Sequence, residues 1–280
     1  MFVRQVALVP NGVDIDVNEI QRIASALQKQ VTRDFAPIWE IKATVDGFAK
    51  LEDVPLGYWP VMVVEDVEDA AGVHLDKNGQ PFSLVEFGDS WSLTASHEVL
   101  EMLADPFGNR VIAGDSPKRG QGRVMFLVEV CDPSEAAQFG YSVNGILVSD
   151  FYTPHYFDPV RNSATRYSFT DAIKKPRQVL RGGYLSWQVP KTGEWWQETW
   201  FGARAQFRSL GTLDASKGSI RSQIDRMTSS KTMEAIAPGR EAATAAGLTA
   251  AVVSKATSER GSALQAQIDA ICGGGKKKKA

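Results

Sequence analysis

His97, Glu98 and Glu101 set one imidazole and two carboxylates within five positions, a group able to hold a metal or move a proton. They stand in SWSLTASHEVLEMLADP, from Ser90 to Pro106, where Leu93, Val99, Leu100 and Leu103 recur at helical spacing and Pro106 stops the run. Side chains four apart on a helix share a face, so His97 and Glu101 converge one turn apart. Glu98 is offset by about 100°. Imidazole and carboxylate both ligate metals, and a catalytic metal keeps three protein ligands plus an open position. A carboxylate beside that position can serve as general base. Acids in so apolar a helix are costly to bury unless paired or metal-bound. The plain alternative is a solvated helix face, because three fixed residues arise readily by chance.

The chain around this stretch is 280 residues long, enough for a substantial core or for a domain with an appendage. Its hydrophobic share of 43% and charged share of 23% are those of a soluble globular protein. A formal net charge of −2 gives no global pull toward nucleic acid or membrane. Cys131 and Cys272 lie far apart and offer no disulfide framework. The opening MFVRQVALVPNG lacks a long apolar region, and no run approaches a membrane span. A cytoplasmic protein is the expectation.

Taken in order, Phe2 to Val9 reads as a strand closed by the turn Pro10-Asn11-Gly12. Asp16 to about Arg33 has helical spacing, with Asp16 and Glu19 as a capping-box-like start. Trp39 to Val45 and Trp59 to Glu65 read as further strands. Val73 to Leu75 is a short strand, joined through the tight turn Asp76-Lys77-Asn78-Gly79 to another at Phe82 to Phe87. The motif helix follows. Phe107 to Gly122, rich in Gly and charge, is expected to be loop, and Val124 to Val130 a strongly apolar strand. A hairpin is expected around Asn144-Gly145.

The helix has the H-E-x-x-H spacing of zinc proteases with glutamate in place of the second histidine. With the strand order before it, this is similar to the N-terminal subdomain of the zincin metallopeptidases, where a twisted sheet backs that helix. More specifically, SHEVLEMLADP, VEVCDP and VNGILVSDFY resemble zincin-like proteins with a SHELxExxxDP helix, a later E-I-G-D element and a V-N-G hairpin. The resemblance covers about Asp89 to Tyr156 and departs at Val130-Cys131, where those proteins have Ile-Gly. It implies an α+β fold, a zincin-like twisted mixed sheet with an active-site helix. It also implies that Val73, His74 and Leu75 form the cleft edge to which extended substrate adds as a strand. An α/β sandwich with an unused edge is the alternative.

Asp105 lies eight residues past His97, about 12 Å along an unbroken helix, and is better read as ending the helix. Glu129 and Asp132 are the stronger third ligands, since the resemblance sets their element beside the helix. Their alternative role is to pair with Arg110 or Arg123. Zinc is the implied metal, although a carboxylate-rich set also suits calcium or manganese. Glu98 would then take the proton of a metal-bound water. Anionic Glu101 makes the metal a weaker Lewis acid, so slow turnover or a pseudo-enzyme is the expectation.

Beyond the motif, His155 among aromatics is expected to be a packed histidine. Trp187, Trp195, Trp196, Trp200 and Phe201, interleaved with arginines, read as a stiff aromatic patch on the core or a partner. Composition shifts near Leu210. The reading is a zincin-like domain over 1–210, a helical Ala/Ser-rich extension over 211–272 and a flexible basic tail over 273–280. The extension's narrow apolar stripes suit docking on a partner or self-assembly. Truncation near Leu210 is accordingly expected to leave a folded chain. Two functions compete: a metal-dependent peptidase acting on extended peptides, and a non-catalytic scaffold holding a protein partner around a structural metal.

Overall fold

The computed structural model describes residues 3–67 and 70–228. The fold is mixed α+β. Its first sheet has the order β2-β1-β3-β5-β4, built from β1 (Arg4–Pro10), β2 (Ala43–Gly47), β3 (Trp59–Val64), β4 (Gly72–Lys77) and β5 (Gln80–Glu86). Four of its strands run parallel, and β4 closes one edge antiparallel to β5. Asn78 and Gly79, both at positive φ, make the tight turn that joins these two strands.

Helix α1 (Val17–Lys29) starts where the Asp16 carboxylate accepts the Asn18 N–H at 2.7 Å. It buries Ile20, Ile23 and Leu27, then passes through a π-helical turn, Gln30–Phe35, into α2 (Ala36–Trp39). Trp39 therefore closes a helix and does not open a strand. Its indole N–H is used instead on the Tyr152 carbonyl, 3.0 Å away. The π turn delivers buried Gln30 to α3 (Trp91–Ala104). Ser96 Oγ donates to Gln30 Oε1 at 2.8 Å and accepts the Ser149 N–H at 2.9 Å, while Gln30 Nε2 donates to the Ser149 carbonyl at 2.9 Å. One fully satisfied polar knot thus fixes α3 against α1 and the later hairpin. Val99, Leu100 and Leu103, all fully buried, supply the apolar part of that fit.

The second sheet is antiparallel throughout, in the order β12-β11-β10-β7-β6. Its members are β6 (Val111–Asp115), β7 (Arg123–Leu127), β10 (Tyr184–Val189), β11 (Glu194–Thr199) and β12 (Gln206–Thr212). The expected loop 107–122 thus contains a strand. Val111 to Asp115 is too short to declare itself between flanking Gly- and charge-rich stretches, and pairing with β7 makes it a strand. The expected strand 124–130 stops at Leu127, where the chain leaves the ladder. Trp187, Trp195 and Trp196 of the aromatic patch are sheet residues, while Trp200 and Phe201 follow the end of β11; Trp187 and Trp195 are buried, and Lys118 lies over the Trp196 ring. The hairpin β8 (Tyr141–Val143) and β9 (Ile146–Val148) turns at Asn144-Gly145 as expected.

Residue 210 falls inside β12, and α4 (Ile220–Thr228) follows, with Ile224 buried against Leu127 and Trp195. The remainder of the expected extension, the basic tail 273–280 and Cys272 lie outside the described residues. Among the described residues no helix is long and apolar enough to cross a membrane.

Glu198 on β11 faces Leu185 and Phe207 across the ladders, and burial, opposed by Lys175, raises its carboxyl pKa to about 7. A carboxyl whose folded pKa exceeds the ordinary value of about 4.3 contributes stability below that value and loses it as pH climbs through the folded one. Glu198→Gln mimics the protonated acid. It is expected to raise the melting temperature at pH 8, by the equivalent of roughly 1–3 kcal/mol, and to change little at pH 4. Equal shifts at both pH values would assign the effect to packing alone.

Candidate metal centre

Four separate stretches meet at one end of α3. The helix supplies His97, Glu98 and Glu101 from the two turns or so that precede Asp105. Edge strand β4 supplies His74. The chain leaving β7 supplies Glu129 and Asp132, because after Leu127 the Val128 N–H turns to the Arg110 carbonyl at 2.9 Å. It then winds into a short 3-10 turn at Asp132–Ser134. Gly183 lets β10 begin against that turn, where a Cβ would come within 2.5 Å of the Asp132 carbonyl oxygen. The fourth contributor is α4.

His97 Nε2 lies 3.3 Å from Glu101 Oε2 and 3.1 Å from Asp132 Oδ1. The three ligand atoms all lie within 4.8 Å of one another. Tetrahedral ligands at zinc-like bond lengths are separated by about 3.3 Å, so this spacing suits a shared cation. Glu101 is oriented for it, since Oε1 accepts the Cys131 N–H at 3.0 Å and leaves Oε2 facing His97. Among the described residues, both oxygens of Asp132 and of Glu129 lack a hydrogen-bond partner although these acids are 0% and 2% exposed. Orphaned carboxylate oxygens at such depth are costly without a cation. Buried His/Glu/Asp groups able to hold a metal ion are thus present, a second being His74, Glu98 and Glu101.

A protein cation already lies among them. Arg221 of α4, 3% exposed, contacts Glu101 Oε2 through Nη1. Its Nε lies 3.3 Å from Glu129 Oε1 and its Nη2 3.9 Å from Asp132 Oδ1. Asp225, four residues on, takes the same Nε at 2.9 and 3.0 Å. The arginine expected to pair with Glu129 or Asp132 was Arg110 or Arg123, and neither does so. Arg110 donates to the Ala104 carbonyl at 2.8 Å, and Arg123 approaches the exposed Asp115 at 3.9 Å.

Electrostatics follow from this crowding. Burial works against a charged imidazolium at His97, but Glu101 and Asp132 outweigh it and hold its pKa well above the ordinary value. Burial likewise penalises the Glu101 carboxylate, yet Arg221 and His97 keep its pKa below the usual range. Burial and then Asp132 push Glu129 well up, while burial and Glu101 raise Asp132. Asp225 is raised to about 6 by burial, with Arg221 pulling the other way. Burial pushes the Cys131 thiol up, and its sulfur lies 3.9 Å from the His97 carbonyl.

Glu98 and His97 both reach a cavity of about 270 Å³, bounded by the start of β4, Glu135, Tyr184 and α4. Gly72 is required there, since a Cβ would meet Thr94 at 2.6 Å and Glu98 Oε1 at 2.8 Å. His74 is not on the outer rim of the edge strand. It is 1% exposed and turns inward, with Nε2 3.0 Å from the Asp105 carbonyl and Nδ1 3.7 Å from Glu98 Oε2. Val73 and Leu75 are half-buried, and α4 packs against β4. Asp105 ends the helix as its position suggests, its carboxylate accepting the Arg110 N–H at 2.7 Å. His155 is exposed and pairs with Asp158 at 3.0 Å, so it is not the packed histidine expected from its aromatic neighbours. Sequence reasoning missed Arg221 and Asp225. Their only local signal is an i,i+4 pair beside Ile220 and Ile224, and nothing in the spacing ties it to a motif 120 residues earlier.

No family model, curated protein or solved structure matches this chain.

Proposed function

We propose that this chain is a zincin-like, metal-dependent hydrolase acting on peptides, with His97, Glu101 and Asp132 as metal ligands and Glu98 as general base. The observation that carries the reading is the convergence of His97 Nε2, Glu101 Oε2 and Asp132 Oδ1 at 3.1–3.3 Å about the imidazole nitrogen. Glu129 stands behind them as an outer carboxylate. Zinc is the metal that a histidine with few, tetrahedrally spaced ligands favours, and manganese the alternative that two carboxylates admit. Zinc held there supplies an acidified water and a Lewis acid for the scissile carbonyl.

The protein's own part begins at Glu98, whose carboxylate reaches the cavity one residue from His97. It accepts the water proton and returns it to the leaving amine. The His74 ring behind it, tied to the Asp105 carbonyl, limits the rotamers open to that carboxylate. The cavity beside Tyr184 and Thr94 holds a substrate side chain. The arrangement of four parallel strands with an antiparallel edge strand before the motif helix is compatible with the zincin layout.

Purified full-length protein is expected to carry close to one zinc or manganese per chain by elemental analysis. The His97→Ala/Glu101→Ala variant should carry none while keeping its far-ultraviolet circular dichroism. Wild type that stays metal-free after dialysis against either ion would sink the reading. A second reading, a non-catalytic scaffold, is favoured by one observation: Arg221 already neutralises part of the carboxylate cluster. On that reading the protein binds a partner and turns over no peptide.

A further inference from the structure

Arg221 is placed by more than its charge. Its backbone N–H donates to the Gly108 carbonyl at 3.0 Å, and the Ile220 N–H to Asn109 Oδ1 at 3.0 Å. Both acceptors lie in the loop that leaves the ligand-bearing helix. Gly108, at φ +61°, makes the seat: a Cβ there would come within 2.7 Å of Arg221 Cβ. Helix α4 is therefore docked onto the end of α3, with Arg221 directed at the carboxylates and Asp225 and Thr228 on the cavity wall. The same helix packs along β4, the strand whose edge borders that cavity.

Glu101 Oε2 lies 3.3 Å from His97 Nε2, and it is also the oxygen that Arg221 Nη1 contacts. Asp132 Oδ1 is likewise shared, 3.1 Å from His97 and 3.9 Å from Arg221 Nη2. A divalent cation on these oxygens would stand a few ångströms from a guanidinium, in a setting where burial leaves little solvent to screen them. Like charges so placed repel strongly. Glu129 and Asp225 hold the guanidinium from its other side, so it has an anchor that does not require the ligand oxygens.

We propose that α4 is an internal occupant of this centre. Arg221 stands in for the metal's positive charge on Glu101 and Asp132, so metal loading and α4 docking oppose each other. The inference rests on the ligand set given under Proposed function. Loading the metal loosens α4, and loosening α4 uncovers the β4 edge and the cavity together. The device links site assembly to substrate access through one side chain.

The test measures zinc affinity by competition with a chromophoric chelator for full-length wild type, Arg221→Gln and Arg221→Lys. Arg221→Gln is expected to bind zinc at least tenfold more tightly than wild type, whereas Arg221→Lys, which keeps the charge, stays within about threefold. A second arm needs no variant. Hydrogen exchange of amides 220–228 in wild type should quicken when zinc is added. Equal or weaker binding by Arg221→Gln, or amides 220–228 that exchange no faster with zinc, would overturn the proposal while leaving the metal site standing. Failure of wild type to bind zinc or manganese would overturn the ligand set itself, and this inference with it.

Discussion

Glu98→Gln is expected to leave fold and metal content intact while lowering cleavage of an unstructured peptide mixture by roughly 10²–10⁴-fold, the usual worth of a general base. The substitution keeps size and hydrogen-bonding capacity and removes only the basic oxygen. The surroundings tolerate it. His74 Nε2 must donate to the Asp105 carbonyl, which can only accept, and a glutamine amide offers a donor toward the Nδ1 that remains. Glu98 contributes no atom to the His97–Glu101–Asp132 group, so one metal per chain should persist. Cleavage that survives undiminished would reject Glu98 as base and implicate another site or a contaminant. Wild type and variant equally inert, with metal retained, would favour the scaffold reading.

How much of this could be read from the sequence follows the range of the forces involved. Periodicity exposes local structure, so α1, α3, β1, β3, β5 and the Asn144-Gly145 hairpin were legible. His97 and Glu101 were legible as partners because helix geometry alone fixes an i,i+4 pair. Asp132 was legible as a nearby acid only through the resemblance, since no local rule brings a residue 35 positions later to the same nitrogen. Strand β6 was hidden because its identity as a strand comes from its partner β7. The second sheet was read as an aromatic patch for the same reason. Strand β4 was read only over Val73 to Leu75, and it is pairing with β5 that extends it to Gly72–Lys77. Arg221 was least legible of all, being set by the docking of a short helix that sequence composition separates from everything before it.

Ending the chain at Thr212 instead of Thr228 is expected to cost about 5 kcal/mol, and to make what stability remains depend on metal. Removing the partner of a buried ion pair typically costs 3–5 kcal/mol, because the opposing charges stay buried. Here Glu101, Glu129 and Asp132 would all lose Arg221 at once. Ile224 leaves as well, stripping cover from Leu127 and Trp195, and a buried Ile is worth about 2–5 kcal/mol when truncated. Relief of the carboxylates by protonation and water offsets part of this total. For a chain of this size about 5 kcal/mol lowers the melting temperature by roughly 10–20 °C. Zinc or manganese can then supply the missing positive charge, so millimolar metal should raise the midpoint of the chain ending at Thr212 by more than that of the chain ending at Thr228. Binding to the folded state alone stabilises by mass action, about 2.7 kcal/mol at a hundredfold excess over Kd. Equal midpoints for the two chains would show that α4 is an appendage, as composition near Leu210 suggests. A large loss that metal does not relieve would assign the effect to Ile224 packing, and would separate the apolar role of α4 from its charge.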